Sequence, residues 1–225
     1  MYSFAQRQDT AVIDEPLYAH YLRVSGADHP GKHDVLDAMD QDGDRVVRTV
    51  ILGEYEKPIL FMKQMAHHLV ELDLSFLDRT ANVLLIRDPE QMLPSLVNQL
   101  AMPTLRDTGL RRQAELMDQL LAIGQDPPIL DARELVLDPE GVLDQLCGRL
   151  GIGFDSSMLR WNPGPREEDG VWARHWYHNV WTSTGFAPYR HKSDPFPEAL
   201  RPLLDETRPY YEGLYERAIK ARDTI

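Results

Sequence analysis

The chain has 225 residues, 43% of them hydrophobic and 27% charged, enough for one good-sized core or for one domain with a C-terminal extension. A formal charge of −12 argues against a general nucleic-acid binder, which needs a basic face for phosphates. No apolar run approaches the length needed to cross a membrane, and the N-terminus lacks a basic-then-apolar signal, so no membrane partner is expected and the expected location is cytoplasmic.

Met1–Arg7 reads as the body of a helix. Ala11–Ile13 is a short apolar run that closes on Asp14-Glu15-Pro16, and Leu17–Val24 continues with aromatic and aliphatic residues. Gly and Pro among charged residues make Ser25–Lys32 a loop, and His33–Val50 reads as helical with a break at Asp42-Gly43. Ile59–Met62 is the next predicted strand, closing on Lys63. Met65, Leu69, Leu72 and Phe76 recur at helical spacing, which predicts a helix over Met65–Leu77.

Val83–Ile86 is a continuous apolar run, the mark of a strand buried on both faces of a parallel sheet. Arg87 follows at its carboxyl end. Asp88-Pro89 then opens a helix, with Asp88 as N-cap, Pro89 at the first helical position and Gln91 three residues after the cap. Ser95 lies about two turns along. It follows Pro94, which cannot donate to the helix ladder and should kink it.

Leu110–Ile123 is a strongly amphipathic helix stopped by Gly124. Ile129-Leu130 is a short strand ending in Asp131. Asp138-Pro139 starts a helix over Pro139–Leu150, with Val142, Leu143, Leu146, Cys147 and Leu150 on one face. Cys147 is the single cysteine, so there is no intrachain disulfide or multi-cysteine metal site, and its place on an apolar face reads as an inert thiol. Gly151–Asp169 is irregular and Val171–Phe186 is rich in Trp. Leu200, Leu203, Leu204, Tyr211, Leu214, Tyr215 and Ile219 outline one long helix with a kink expected at Pro209.

Four apolar runs thus end in charge, at Glu15, Lys63, Arg87 and Asp131. Strands alternating with helices imply βαβ units, hence an α/β fold with a parallel sheet and flanking helices, and would set the four charges along one sheet edge. Ligands of open α/β sheets sit beyond the carboxyl ends of strands. No repeat or interdomain linker is visible, so 1–225 reads as a single domain with a C-terminal helical part from about 154 onward.

Two groups on this edge suit an oxyanion. Arg87 offers a planar fork of donors and Ser95 one more hydroxyl; the blander alternative is a rim Arg paired with Asp88 and a Ser that caps the kink. His67 and His68 are adjacent, about 100° apart on a helix, and cannot both face one ligand. His67 and Glu71 are too few for a metal site. One of the two histidines is read as near an acceptor, the other as packing or solvated.

Arg87-Asp88-Pro89 with Ser95 eight residues after the Arg resembles the 3′-phosphate-binding motif of sulfotransferases. Those enzymes use 3′-phosphoadenosine 5′-phosphosulfate (PAPS) on a P-loop NTPase-like α/β fold. The segments MYSFAQR, DEPLYAHYL, KQMAHHL and DGVWARHWYHNVWTSTGF resemble a bacterial and plant branch of the family, so the likeness covers most of the chain.

The resemblance implies transfer of a sulfuryl group from PAPS to a hydroxyl or amine of a small acceptor, with no metal required. It gives Arg87 and Ser95 the donor's 3′-phosphate. It makes Glu15 the base that takes the acceptor's proton, with Asp14 its nearest competitor; the alternative for Glu15 is a turn carboxylate capping the next helix. It sets Lys63 beside the transferring group, the alternative being a rim Lys with its stem on apolar surface. Arg174 becomes a phosphate candidate in a closing C-terminal segment, although the Arg-Lys-Gly usual there is missing. Trp172 and Trp176, four apart, also fit a core face of one helix.

One family element is missing from the sequence. The strand and glycine-containing loop that cradle the 5′-phosphosulfate would lie just upstream of MYSFAQR, and no G-x-x-x-x-G-K-[ST] replaces them. The expectation is therefore a sulfotransferase fold lacking its first strand and loop, inactive or weakly active as this chain. A misplaced start, a truncated gene or a non-catalytic remnant would each account for it. The competing functional reading is a non-catalytic P-loop-like module that binds a nucleotide or a protein.

Overall fold

The computed structural model describes residues 1–98, 100, 102–190 and 195–222, so the last three residues of the expected C-terminal part lie outside the described residues. The chain divides into two compact units, Met1–Arg79 with Asp155–Phe186, and Thr80–Phe154 with Ala187–Ile225.

The first unit is built on two parallel strands, β1 (Thr10–Asp14) and β2 (Ile59–Lys63). Thr10, Val12 and Ile13 are β-branched and favour the pleated conformation. Their register runs from Thr10 opposite Ile59 to Asp14 opposite Lys63, so both strands reach their carboxyl ends together. The crossover between them carries the helices Tyr18–Ser25, Lys32–Ala38 and Gly43–Val46. The second of these is broken from the third near Asp42-Gly43, as the sequence predicts, and Asp42 caps the third by accepting from Arg45 N–H. Tyr18, Ala19, Tyr21 and Leu22 of the first helix bury against Val35 and Trp172. Apolar burial of this kind is worth about 25 cal/mol per Å2.

Two expectations in this unit need correction. Met1–Arg7 forms a single 3-10 turn at Phe4–Gln6 rather than a helix body; Phe4 leaves it to stack on Phe61 of β2, with ring centroids 4.2 Å apart. Met65–Leu77 is two separate 3-10 turns, Ala66–His68 and Leu74–Arg79. The left-handed backbone of Glu71 (φ +47°) and the His20 Nε2 bond to the Val70 carbonyl at 2.8 Å hold the intervening chain away from a helical path. Trp172 and Trp176 fit the core face read for them: they bracket the single turn Ala173–Trp176, with Trp172 as its buried cap and Trp176 packed against the same cluster.

The second unit holds β3 (Leu84–Ile86), β4 (Ile129–Asp131) and β5 (Ala218–Ile219), all parallel and in that order. Asp88 caps the helix Pro89–Leu96 through Glu90 N–H at 2.8 Å, with Pro89 in the first turn and Pro94 inside. The helix Leu110–Ala122 buries Leu110, Leu116, Met117 and Leu120 and ends before Gly124, whose φ of +84° is the left-handed stop that its sequence signals. Asp138 caps Pro139–Arg149, which buries Val142, Leu143, Leu146 and Cys147 as predicted.

Here too the structure corrects the sequence reading. The strand at Val83–Ile86 is not buried on both faces: Leu85 is 58% exposed. The C-terminal helix, Arg201–Tyr215, stops short of Ile219, because Ala218-Ile219 leaves it to pair with Ile129-Leu130. The four strand-end charges do not share one sheet: the ladders join β1 to β2 and, separately, β3 to β4 to β5. Glu15 and Lys63 therefore belong to the first unit, Arg87 and Asp131 to the second.

Candidate functional site

The in-register ends of β1 and β2 put Asp14 beside Lys63, and the ladder runs one step further, with Glu15 N–H donating to the Lys63 carbonyl at 2.7 Å. Glu15 then takes a left-handed backbone (φ +44°) ahead of Pro16. For a non-glycine residue this is a sparsely populated conformation costing on the order of 1–3 kcal/mol, and such strain clusters at functional sites. The turn directs the Glu15 carboxylate inward, where it is 7% exposed and bonded to the Lys63 ammonium. It does not cap the following helix. The Glu15 carbonyl, not the side chain, receives Tyr18 N–H at 3.0 Å, and that helix has no side-chain cap.

Lys63 Nζ donates to three oxygens: Glu15 Oε1, Asp14 Oδ1 at 3.3 Å, and the Tyr177 hydroxyl at 2.8 Å. Tyr177 in turn donates to Asp14 Oδ2 at 2.7 Å, and its ring lies 5.2 Å from the ammonium. Lys63 is thus the hub of a carboxylate–phenol network rather than a rim side chain, while its side chain keeps 32% of its surface in solvent. Burial works against its charge, but Glu15, Asp14 and Tyr177 outweigh it and raise its pKa. Burial raises the Glu15 carboxyl; Lys63 pulls it down and Asp14 pushes it up again. Burial also raises the Tyr177 phenol, which stays protonated and able to donate.

An aromatic wall stands beside this network. The Tyr18 ring stacks on His68, its hydroxyl meets His29 Nδ1 at 2.9 Å, and Trp172 meets it edge-on. Gln64, next to Lys63, accepts from Leu17 N–H at 3.3 Å, whereas its buried Nε2 has no hydrogen-bond partner among the described residues. His67 and His68 sit in a tight turn with their rings 88° apart.

Arg174, in the same unit, is on the surface, with its guanidinium bonded to the Asp34 carboxylate and its Nε 3.3 Å from His175 Nε2.

In the second unit, exposed Arg87 follows β3 and donates to the Gln91 carbonyl at 3.2 Å, which folds the guanidinium over the first turn of the helix it precedes. Ser95 is one turn beyond Gln91 on the same helix face. Asp131, the remaining strand-end charge, is fully buried and engaged as an N-cap. It accepts from Arg133 and Glu134 N–H at 2.8 and 3.1 Å and from the Tyr211 hydroxyl at 3.1 Å.

Sequence reasoning paired Glu15 with Lys63 in function but missed the parts that join them. Asp14 entered only as a competitor for the role of base and Tyr177 only as one ring of an aromatic stretch. The register of β1 against β2 makes Asp14 a partner of Lys63, and that register follows from the two strands ending together. Nothing local to Tyr177 announces its bond to Asp14.

A family model described as a sulfotransferase domain matches residues 1–218. Two relatives from Arabidopsis thaliana, branched-chain-amino-acid aminotransferase-like proteins 1 and 2, are 40% and 39% identical over 215 residues. These alignments take in 95% of this chain but only 39% and 38% of the relatives, so the chain spans about two-fifths of their length. Among solved structures, a sulfotransferase domain from the curacin biosynthetic pathway aligns over 84% of this chain and 77% of its own, with a TM-score of 0.44 and 14% identity. No helix among the described residues is long and apolar enough to cross a membrane.

Proposed function

The chain belongs to the sulfotransferase domain family, and from that premise we propose that it transfers a sulfuryl group from PAPS to a hydroxyl or amine of a small acceptor. Glu15 is the general base. Lys63 neutralises charge that grows on the transferring group and the bridging oxygen. The observation that carries this reading is the strained, inward-turned Glu15, whose buried carboxylate shares the Lys63 ammonium with Asp14 and Tyr177. A carboxylate poised above its ordinary range by burial, beside a cation with part of its surface in solvent, suits proton removal coupled to anion stabilisation.

The same reading gives the donor's 3′-phosphate to Arg87 and Ser95. An exposed guanidinium at a strand end and a hydroxyl on the helix that follows supply the donors that a phosphate monoester takes. Arg174 could contribute only by leaving Asp34.

The test is binding of adenosine 3′,5′-bisphosphate to this chain by calorimetry, followed by mass-spectrometric detection of sulfated product from PAPS. Arg87→Ala should weaken nucleotide binding about tenfold or more, the equivalent of one lost charge-assisted contact. Glu15→Gln should remove whatever product the wild-type chain forms, which is expected to be little, while leaving nucleotide affinity intact. Absence of nucleotide binding, or binding indifferent to Arg87, would overturn the reading.

A further inference from the structure

A cleft of about 490 Å3 opens in the first unit, lined by Gln6, Arg160, Trp161, Asn162, Pro163 and Thr184. The first residues of the chain place it. Phe4 stacks on Phe61 in the middle of β2, and Arg7 Nε reaches Thr10 Oγ1 at 3.2 Å where β1 opens, so Gln6 lies towards the amino end of the ladder. Glu15 and Lys63 lie beyond the opposite end of the same ladder.

The walls are fixed without a ligand. Arg160 bridges to Gly185, Trp161 N–H donates to the Thr184 carbonyl at 3.2 Å, and Gly164 N–H donates to the Trp181 carbonyl at 2.7 Å. A Cβ at position 185 would fall 2.8 Å from the Leu159 carbonyl oxygen, so the two stretches approach this closely only with glycine there. The Trp161 indole donates to Ser183 Oγ at 2.9 Å and meets Tyr2 and Phe186 edge-on, which holds its ring in place. Gln6 Nε2 donates to the Tyr2 carbonyl at 2.9 Å. By contrast, the side chains of Arg160, Asn162 and Thr184 are exposed and make no hydrogen bond or ion pair among the described residues. Free polar groups on a rigid frame bind a ligand at little cost in ordering.

Arg160 lacks a counter-charge although the chain carries −12 overall. Such a guanidinium selects an anion, and its planar fork matches a carboxylate. Across Gln6 a second cleft of about 330 Å3 is lined by Asp9 and Asp155, whose carboxylates are already engaged by Arg7 and by Ser157 N–H, each at 2.8 Å. They repel an anion from that side and leave it to Arg160. The Asn162 amide and the Thr184 hydroxyl each donate and accept, as sugar hydroxyls do. Trp161 offers a flat apolar surface to ring C–H groups. One cation and one aromatic ring suit a sugar carboxylate better than a nucleotide, whose dianionic phosphate and planar base ask for more of each.

We propose that this cleft binds a small acidic sugar, a uronate, with Arg160 on its carboxylate, Asn162 and Thr184 on its hydroxyls and Trp161 against its ring. Nothing in this binding draws on sulfuryl transfer, so it stands or falls apart from the transferase reading.

The experiment follows the Trp161 indole N–H and the Asn162 side-chain amide by 15N NMR on the full chain, with glucuronate, glucose, acetate and adenosine 5′-monophosphate as probes. Glucuronate should shift both signals along one saturable curve. Glucose and acetate, each holding half of the recognised chemistry, should bind at least about tenfold more weakly. Arg160→Ala should weaken glucuronate about tenfold, one lost charge-assisted contact, and leave the glucose titration unchanged. The variant removes an exposed, unbonded side chain, and an unchanged amide spectrum away from the cleft verifies that it folds. Acetate binding as tightly as glucuronate would mean attraction to charge alone, and tighter binding of the nucleotide would mean a nucleotide site; either overturns the inference. So would a glucuronate curve that is absent, or one indifferent to Arg160→Ala.

Discussion

Tyr177 donates its hydroxyl proton to Asp14 Oδ2 at 2.7 Å, joining residues 163 apart in sequence, while the same hydroxyl accepts from Lys63 at 2.8 Å. One phenol thereby fixes both the carboxylate that flanks Glu15 and the cation that balances it. Tyr177→Phe keeps the ring under the ammonium and removes only the bridge. It should destabilise the protein by about 1–3 kcal/mol, towards the lower end because Asp14 retains Lys63. The midpoint of urea unfolding measures this, and an unchanged midpoint would deny the bridge a structural role.

Glu15 should titrate above the ordinary carboxylate range, because burial and Asp14 raise it more than Lys63 lowers it. A folded value above the unfolded one means that the fold holds this proton more tightly. The stabilisation from this group is complete below the unfolded value and fades as pH rises through the folded one. Lys63→Met should move the Glu15 titration upward and Asp14→Asn should move it downward, read by carboxyl 13C NMR. Shifts of the same sign in both variants would contradict the network.

Lys63→Met should also destabilise the fold near neutral pH, since it leaves two buried carboxylates without their cation. Breaking a buried pair costs about 3–5 kcal/mol, and the lower end applies because the Lys63 side chain keeps 32% of its surface in solvent. Thermal and urea denaturation of the variant would check it. Recovery of stability at acidic pH, as the buried Glu15 carboxylate protonates, is the accompanying expectation.

The backbone at Glu15 makes its own prediction. With φ at +44°, glycine fits where an L-side chain is strained. Glu15→Gly should be more stable than Glu15→Ala by about 1 kcal/mol, although neither has a carboxylate to meet Lys63. Equal unfolding midpoints would mean that the left-handed conformation carries no strain.

Much of this was legible beforehand. The runs at Ala11–Ile13 and Ile59–Met62 are short, apolar and closed by charge, and they are strands. Asp88-Pro89, Asp138-Pro139 and Gly124 are local signals with local causes, and each marks a helix end where expected. What was hidden depends on distant partners. Met65, Leu69, Leu72 and Phe76 keep helical spacing, but His20 and the left-handed Glu71 override it. Ala218-Ile219 is too short to be read as a strand apart from its neighbour in β4. Asp-Glu-Pro promises a turn but not a carboxylate turned inward, and no motif announces His68 clasped by two tyrosines, Tyr18 and Tyr21.

The pairing of Asp14 with Lys63 at the end of the first ladder has a bearing on assembly as well as chemistry. Slide β2 by a single position and the ammonium would come to rest against Ile13, stranded among aliphatic side chains with its counter-charges a step away. Hydrophobic alternation alone is a poor ruler for two half-buried strands. The ion pair acts as a registration mark, telling the ribbons where to stop, so the lysine at the hub of the carboxylate–phenol network also guards the folding of the unit around it.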